Sequence, residues 1–306
     1  MTTAVVFAYH NVGARCLEVL LRHHVDVQLV VTHDDDPRET IWFDRVGDVA
    51  AAHGITVATP DDPNTPDFIA RIRVLRPDFL FSFYYRRMLS PALLTLPARG
   101  ALNMHGSLLP KYRGRAPVNW AVLHGERETG ATLHYMVEKP DAGDIVAQTS
   151  VPILPDETAR EVFDKVTGAA RDTLDRVLPA LLAGTAPRIA QDLSQGSYFG
   201  GRRPADGRID WRRTAREIHN LVRAVAPPYP GAFTNFSGDE WKILRTRVVD
   251  DSAPPGPARV WVDRGRLLAD CGGGGRLEIV AAERAGRGVD VPDLPATFEA
   301  KLAMQS

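Results

Sequence analysis

The chain is 306 residues long, enough for about two domains at roughly 150 residues each. Lys+Arg 37 against Asp+Glu 38 leaves a formal charge of −1, so no global field draws the chain to nucleic acid or to an acidic membrane. Hydrophobic residues at 44% and charged residues at 25% match a soluble globular protein, and no apolar run approaches the ~18 residues of a membrane span.

Ala4–Ala8 is an unbroken apolar run and predicts a buried strand. Val12–His23 then sets Cys16, Leu17, Val19 and Leu20 on one helical face. Val25–Thr32 predicts the next strand, closed by the acidic turn Asp34-Asp35-Asp36-Pro37. Ile41–His53 predicts a helix stopped by Gly54. Strands are expected at Ile55–Ala58, Asp78–Phe83, Ala101–Met104 and Ala131–Val137, and helices at Asp67–Leu75 and Val118–His124. This alternation predicts an α/β fold with a doubly wound, mostly parallel sheet. Beyond residue 150, Asp156–Leu182 predicts a long helix capped by Asp156, with Glu157 and Thr158 beside it. Gln191–Gly207, rich in Gly, Arg and Ser, reads as a linker, and Thr214–Val225 as a short helix. Short strands at Ala232–Phe236, Trp241–Val249, Ala258–Val262, Arg266–Cys271 and Leu277–Ala281 predict a small OB-like β-barrel. Gly272–Gly275 reads as a flexible hairpin tip. The expected organisation is a catalytic domain over 1–190, a linker over 191–207 and the OB-like domain over 208–306.

The first strand–helix turn lacks G-x-G-x-x-G, and no Walker loop, H-E-x-x-H or G-x-S-x-G occurs, which disfavours dinucleotide, ATPase, zinc-peptidase and serine-hydrolase chemistry. Cys16 and Cys271 stand far apart and the nine histidines show no ligand spacing, so no metal site is expected. With no signal segment at its start, the chain is expected in the reducing cytoplasm.

The informative stretch is 100–145. Asn103 and His105, two apart in an extended segment, share a face while Met104 points away. A Gly-, Pro- and base-rich loop follows, where open α/β sheets bind ligands, and Pro140-Asp141-Ala-Gly-Asp144 can return a carboxylate to the same edge. A carboxamide donor, an imidazole base and a carboxylate make a plausible catalytic set. Each also has a structural reading: Asp141 before Ala-Gly can simply hold a turn.

The run Asn103-Met-His-Gly-Ser-Leu-Leu-Pro-Lys-Tyr-Arg-Gly-Arg-Ala-Pro117, with Glu128-Thr-Gly-Ala-Thr-Leu-His134 and Asp141-Ala-Gly-Asp-Ile145, resembles the 10-formyltetrahydrofolate-dependent formyltransferases. The likeness runs over nearly the whole chain. It is finer to members that formylate UDP-4-amino-4-deoxy-L-arabinose, through Phe7-Ala-Tyr-His10, Phe81-Ser-Phe-Tyr-Tyr-Arg86, Gly200-Gly-Arg-Arg-Pro204, Leu221-Val-Arg-Ala-Val-Ala226 and Pro230-Gly-Ala-Phe233. The resemblance implies a Rossmann-like catalytic domain and N-formyl transfer to a UDP-linked amino sugar. It also implies a place in lipid A modification and polymyxin resistance.

Asn103, His105 and Asp141 would be catalytic. Asn103 would donate to the oxyanion, His105 would relay the proton, and Asp141 would favour the imidazolium and fix its ring. Arg87, Met88, Leu89, Arg115, Val137, Glu138, Lys139, Pro140 and Asp141 would line the folate site, and Arg202 or Arg203 would hold a nucleotide diphosphate. The bifunctional relatives continue into a dehydrogenase/decarboxylase domain, and that second activity is expected here to be absent or carried by a separate partner chain. Methionyl-tRNA formyltransferase is the alternative, and a non-catalytic folate-binding module a more distant one. Residues 205–306 carry 15 Lys+Arg and 14 Asp+Glu, without the basic excess expected of a tRNA-gripping domain, so small-molecule partners are favoured.

Overall fold

The first strand, β1 (Thr3–Ala8), is buried along almost its whole length, as a strand covered on both faces must be. The computed structural model describes residues 1–35, 41–236, 238–295 and 298–301. From β1 the chain alternates through α1 (His10–Arg22), β2 (Asp26–Val31), α2 (Val46–Ala52), β3 (Val57–Ala58), α3 (Pro66–Leu75), β4 (Phe79–Phe83), α4 (Pro91–Leu94) and β5 (Gly100–His105). It continues through β6 (Arg113–Gly114), α5 (Pro117–Leu123), β7 (Glu128–Tyr135), β8 (Ile145–Pro152), α6 (Ala159–Ala183) and β9 (Tyr198–Phe199). The central sheet has the order β3-β2-β1-β4-β5-β7-β8. Its pairs are parallel from β3 to β5 and antiparallel from β5 through β7 to β8. One face of β1 and β2 buries Val5, Phe7, Leu29 and Val31 against Ile72 of α3 and Leu93 of α4, the period-2 alternation of strands closing on helices.

The predicted strands and helices of this half are present, with some departures, and the short elements α4, β6 and β9 had no reading in the sequence. The helix expected over Ile41–His53 is reduced to α2, because Trp42 and Phe43 are drawn into an aromatic cluster, His10 lying 4.4 Å from Trp42 and 4.1 Å from Phe43 between ring centroids. Of the expected acidic turn, Asp36 and Pro37 lie outside the described residues. Strand β8 had no reading in the sequence: only its first two residues are well buried, so its periodicity is weak.

A second sheet follows α7 (Ala215–Val225) and is built from β10 (Ala232–Phe236), β11 (Asp239–Asp250), β12 (Arg259–Asp263), β13 (Arg266–Asp270), β14 (Arg276–Arg284), β15 (Arg287–Gly288) and β16 (Glu299–Lys301). All its pairs are antiparallel, in the order β10-β11-β14-β13-β12-β16 with β15 on β14. Its core gathers Trp211, Phe236, Trp241, Val260, Leu267 and Ile279. The tip Gly272–Gly275 is not free: the N–H groups of Gly272 and Gly273 donate to the carbonyls of Trp211 and Arg213, at 2.7 and 3.1 Å.

The chain divides into two units. One comprises Met1–Pro117, Glu128–Pro152 and Asp164–Gly200, and the other Val118–Arg127, Ile153–Phe163 and Gly201–Ser306. Residues 118–127 and 153–163, expected in the N-terminal domain, therefore group with the C-terminal sheet. Polar bonds explain it: Arg223 on α7 donates to the carbonyls of Val122 and Glu157, and Asn119 donates to that of Ala224.

Candidate active site

Strand β5 presents Asn103 and His105 on one face, with Met104 buried on the other. The His105 Nε2 lies 2.8 Å from the carbonyl oxygen of Tyr112. A carbonyl only accepts, so Nε2 carries the hydrogen and Nδ1 of the neutral ring is left as the basic nitrogen. That Nδ1 lies 3.6 Å from Oδ1 of Asp141.

Asp141 sits in a turn with φ +52, a backbone region that costs a non-glycine residue energy and is retained only where surroundings enforce it. Gln191 enforces it by donating from Nε2 to the carbonyls of Asp141 and Gly143, at 3.0 and 2.6 Å. The N–H of Gly114, on β6, donates to Oδ2 at 2.9 Å. Burial opposes the charge on this carboxyl, but the charge that the facing His105 and His134 rings carry when protonated, together with the Gly114 N–H, outweighs it. Asp141 is held well below the ordinary carboxylate range. It is therefore an anion at neutral pH.

In the sequence, His134 marks only the end of the run from Glu128. On β7 it pairs directly opposite Asn103, with its side chain 1% exposed. Its Nε2 lies 3.2 Å from Asn103 Nδ2 and 3.5 Å from Asp141 Oδ1, and Asn103 Nδ2 lies 3.4 Å from the same oxygen. The signal available in sequence was Thr132-x-His134, two polar residues alternating with apolar ones in a strand. Only the antiparallel register sets them opposite His105 and Asn103.

The loop after His105 is fastened from beneath. Thr132 Oγ1 donates to the carbonyl of Ser107 at 2.6 Å and accepts the N–H of Leu109. Gln148 on β8 donates to Thr132 Oγ1 and to the Leu109 carbonyl. The loop's far side pairs β6 with β9. Gly114 there has φ +98, and a Cβ would stand 2.2 Å from the carbonyl oxygen of Phe199, so only glycine fits where its N–H meets Asp141.

Residues 5–178 match the family model described as formyl transferase, and residues 202–293 match the one described as formyl transferase, C-terminal domain. The chain belongs to the formyl transferase family. Among solved structures, this formyl transferase is similar to the N-formyltransferase from Helicobacter canadensis in complex with folinic acid and dTDP-3-aminofucose. That match has 21% identity, covers 91% of this chain and 99% of that one, and has a TM-score of 0.71. It is also similar to WlaRD, a sugar 3N-formyl transferase in the presence of dTDP and 5-N-formyl-THF (18% identity, 94% and 99% covered, TM-score 0.72). A third is a sugar N-formyltransferase from Shewanella sp FDAARGOS_354 (19%, 78% and 95%, 0.63). At these identities the likeness is one of fold.

Of the residues this formyl transferase was expected to place around folate, Arg87, Met88, Arg115, Val137, Glu138 and Lys139 are exposed, and Pro140 is half-buried. Leu89 differs in burial: its side chain packs in the core with Leu80 and Leu93, just ahead of α4. Arg87 and Arg86 together with burial lower the pKa of the half-buried His33, to about 4, burial being the larger cause. Arg202 and Arg203 lie in the other unit. The Arg202 guanidinium stacks 4.8 Å over Trp120 and donates to the Asp206 carbonyl, while the Arg203 N–H donates to the Asp206 carboxylate.

Proposed function

We propose that this chain is an N-formyltransferase that moves the formyl group of 10-formyltetrahydrofolate to the 4-amino group of a UDP-linked amino sugar, UDP-4-amino-4-deoxy-L-arabinose. The observation that carries the reading is the convergence of the Asn103 carboxamide and the His105 imidazole, at the end of β5, on one carboxylate oxygen of Asp141 at 3.4 and 3.6 Å, in a member of the formyl transferase family. Nucleotide-sugar and formyl-folate ligands named for two structural neighbours support the substrate classes. The sequence runs that resemble the arabinose-modifying members support the acceptor.

The donor would supply an electrophilic carbonyl carbon. The acceptor amine attacks it as the neutral base, leaving negative charge on the carbonyl oxygen and an acidic proton on nitrogen. His105 Nδ1 is the nitrogen placed to take that proton, since Nε2–H is committed to Tyr112, and it returns the proton to the departing folate nitrogen. Asp141, ionised across the working pH range, holds the imidazolium while it exists.

Asn103 has two amide hydrogens set about 120° apart. His134 Nε2, Asp141 Oδ1 and Asn103 Nδ2 form a nearly equilateral triangle with sides of 3.2, 3.4 and 3.5 Å. In this reading one N–H serves both acceptors, and the other is available to the oxyanion. Such a donor contributes about 3–4 kcal/mol to the transition state. Arg87, Met88, Arg115 and the segment 137–140 would hold the folate, and Arg202 or Arg203 the diphosphate. A formyl-transfer assay with 10-formyltetrahydrofolate and a panel of UDP- and dTDP-amino sugars tests the reading. N-formyl product on the arabinose derivative supports it, and none on any sugar rejects it.

A further inference from the structure

One buried side chain at the site has no part in the proton and oxyanion chemistry above. His134 is sealed between β5 and β8, its Nδ1 lies 2.8 Å from the carbonyl oxygen of Tyr135, and its Nε2 faces Asn103 and Asp141. The carbonyl only accepts, so Nδ1 carries the ring hydrogen and Nε2 is a bare acceptor.

We propose that His134 is a positioning residue that fixes which end of the Asn103 carboxamide faces the β7 side, and so aims the free N–H at the reacting carbonyl. The proposal rests on the role assigned to Asn103 above. A carboxamide turned over by about 180° exchanges an oxygen for an NH2 group of nearly the same size, and only its partners choose between them. On the β7 side both partners are acceptors, so an oxygen turned there would meet two lone pairs and the NH2 end is selected. Asp141 alone holds it loosely, because 3.4 Å is long for an N–H···O bond, while the ring supplies the shorter contact at 3.2 Å. The arrangement is mutual. Nε2 and Oδ1 are two acceptors 3.5 Å apart, and the Asn103 N–H between them relieves their repulsion.

The test pairs His134→Met, which keeps bulk and removes the acceptor, with His134→Gln, whose Oε1 can replace Nε2. The Met variant should lose about 10- to 100-fold in kcat with both KM values within about three-fold, and the Gln variant should recover most of that loss. In an Asn103→Ala background, His134→Met should cost less than about two-fold further, because its route of action is gone. The Asn103 side-chain 15N–1H signals supply a readout independent of turnover: they should shift and exchange faster in the Met variant and not in the Gln variant. A folded Met variant with wild-type kcat, or unchanged Asn103 signals, overturns the proposal. If the wild type formylates no amine, the proposed function fails instead, and the Asn103 signals still decide the positioning role.

Discussion

At the scale of single residues, the site is an arrangement of who donates to whom. Asn103→Ala, His105→Ala and Asp141→Ala should each lower turnover by about two to four orders of magnitude while far-UV circular dichroism stays that of the wild type. A folded His105→Ala enzyme with full activity contradicts the assignment. Asp141 also links the site to acid stability. Its folded pKa lies below that of the unfolded chain, so its contribution is full above the unfolded value near ~4 and drains as pH falls through and below it. The difference in urea-unfolding free energy between wild type and Asp141→Asn should therefore shrink between pH 5 and pH 3. A constant difference would show that the carboxylate is not held by its neighbours. Asn103 and His105 were legible in sequence because an i, i+2 pair needs only a strand to share a face. His134 was not, because its place depends on a register between two strands that run in opposite directions.

At the scale of elements, short segments hold the site and single atoms hold the segments. Gly114→Ala should displace β6 from β9, lengthen the Gly114 N–H bond to Asp141 and lower kcat by at least about ten-fold, since a Cβ there meets the Phe199 carbonyl. Normal activity in that variant would mean the β6 contact with Asp141 is dispensable. Helix α7 begins with a reciprocal cap, the Glu217 N–H donating to Thr214 Oγ1 while the Thr214 N–H donates to the Glu217 carboxylate. Thr214→Ala should cost about 0.5–2 kcal/mol in chemical unfolding and leave kcat unchanged.

The long helix α6 shows why caps are hard to read. Asp156 was the expected cap, yet the same box is made by Thr158 with Glu161, two residues on, because the Thr-x-x-Glu spacing lets both side chains reach back. The glycines at 272–275 looked like a loose tip because sequence shows their freedom and not their neighbours. In place, a Cβ on Gly273 would stand 2.7 Å from the backbone of Arg213 and Thr214.

For the whole molecule, strand–helix alternation foretold the parallel half of the central sheet. It did not foretell the antiparallel return through β7 and β8, which Gln148 and Thr132 join to the loop after His105. Contiguous domains were the natural reading of a composition shift, but polar bonds carry 118–127 and 153–163 into the second unit. The near-neutral charge of residues 205–306 bears on the acceptor. A small nucleotide sugar should show a KM that changes by less than about ten-fold between 50 and 200 mM salt. A protein tracking many nucleic-acid phosphates would lose about 10³–10⁵ in affinity over that range.

The most direct test of the account is product formation by wild type and His105→Ala side by side, with 10-formyltetrahydrofolate and UDP-4-amino-4-deoxy-L-arabinose. The account predicts one N-formyl sugar per donor consumed by the wild type and a rate at least about two orders of magnitude lower for the variant. Equal rates from the two proteins, or formylation of methionyl-tRNA with no amino sugar accepted, would contradict it.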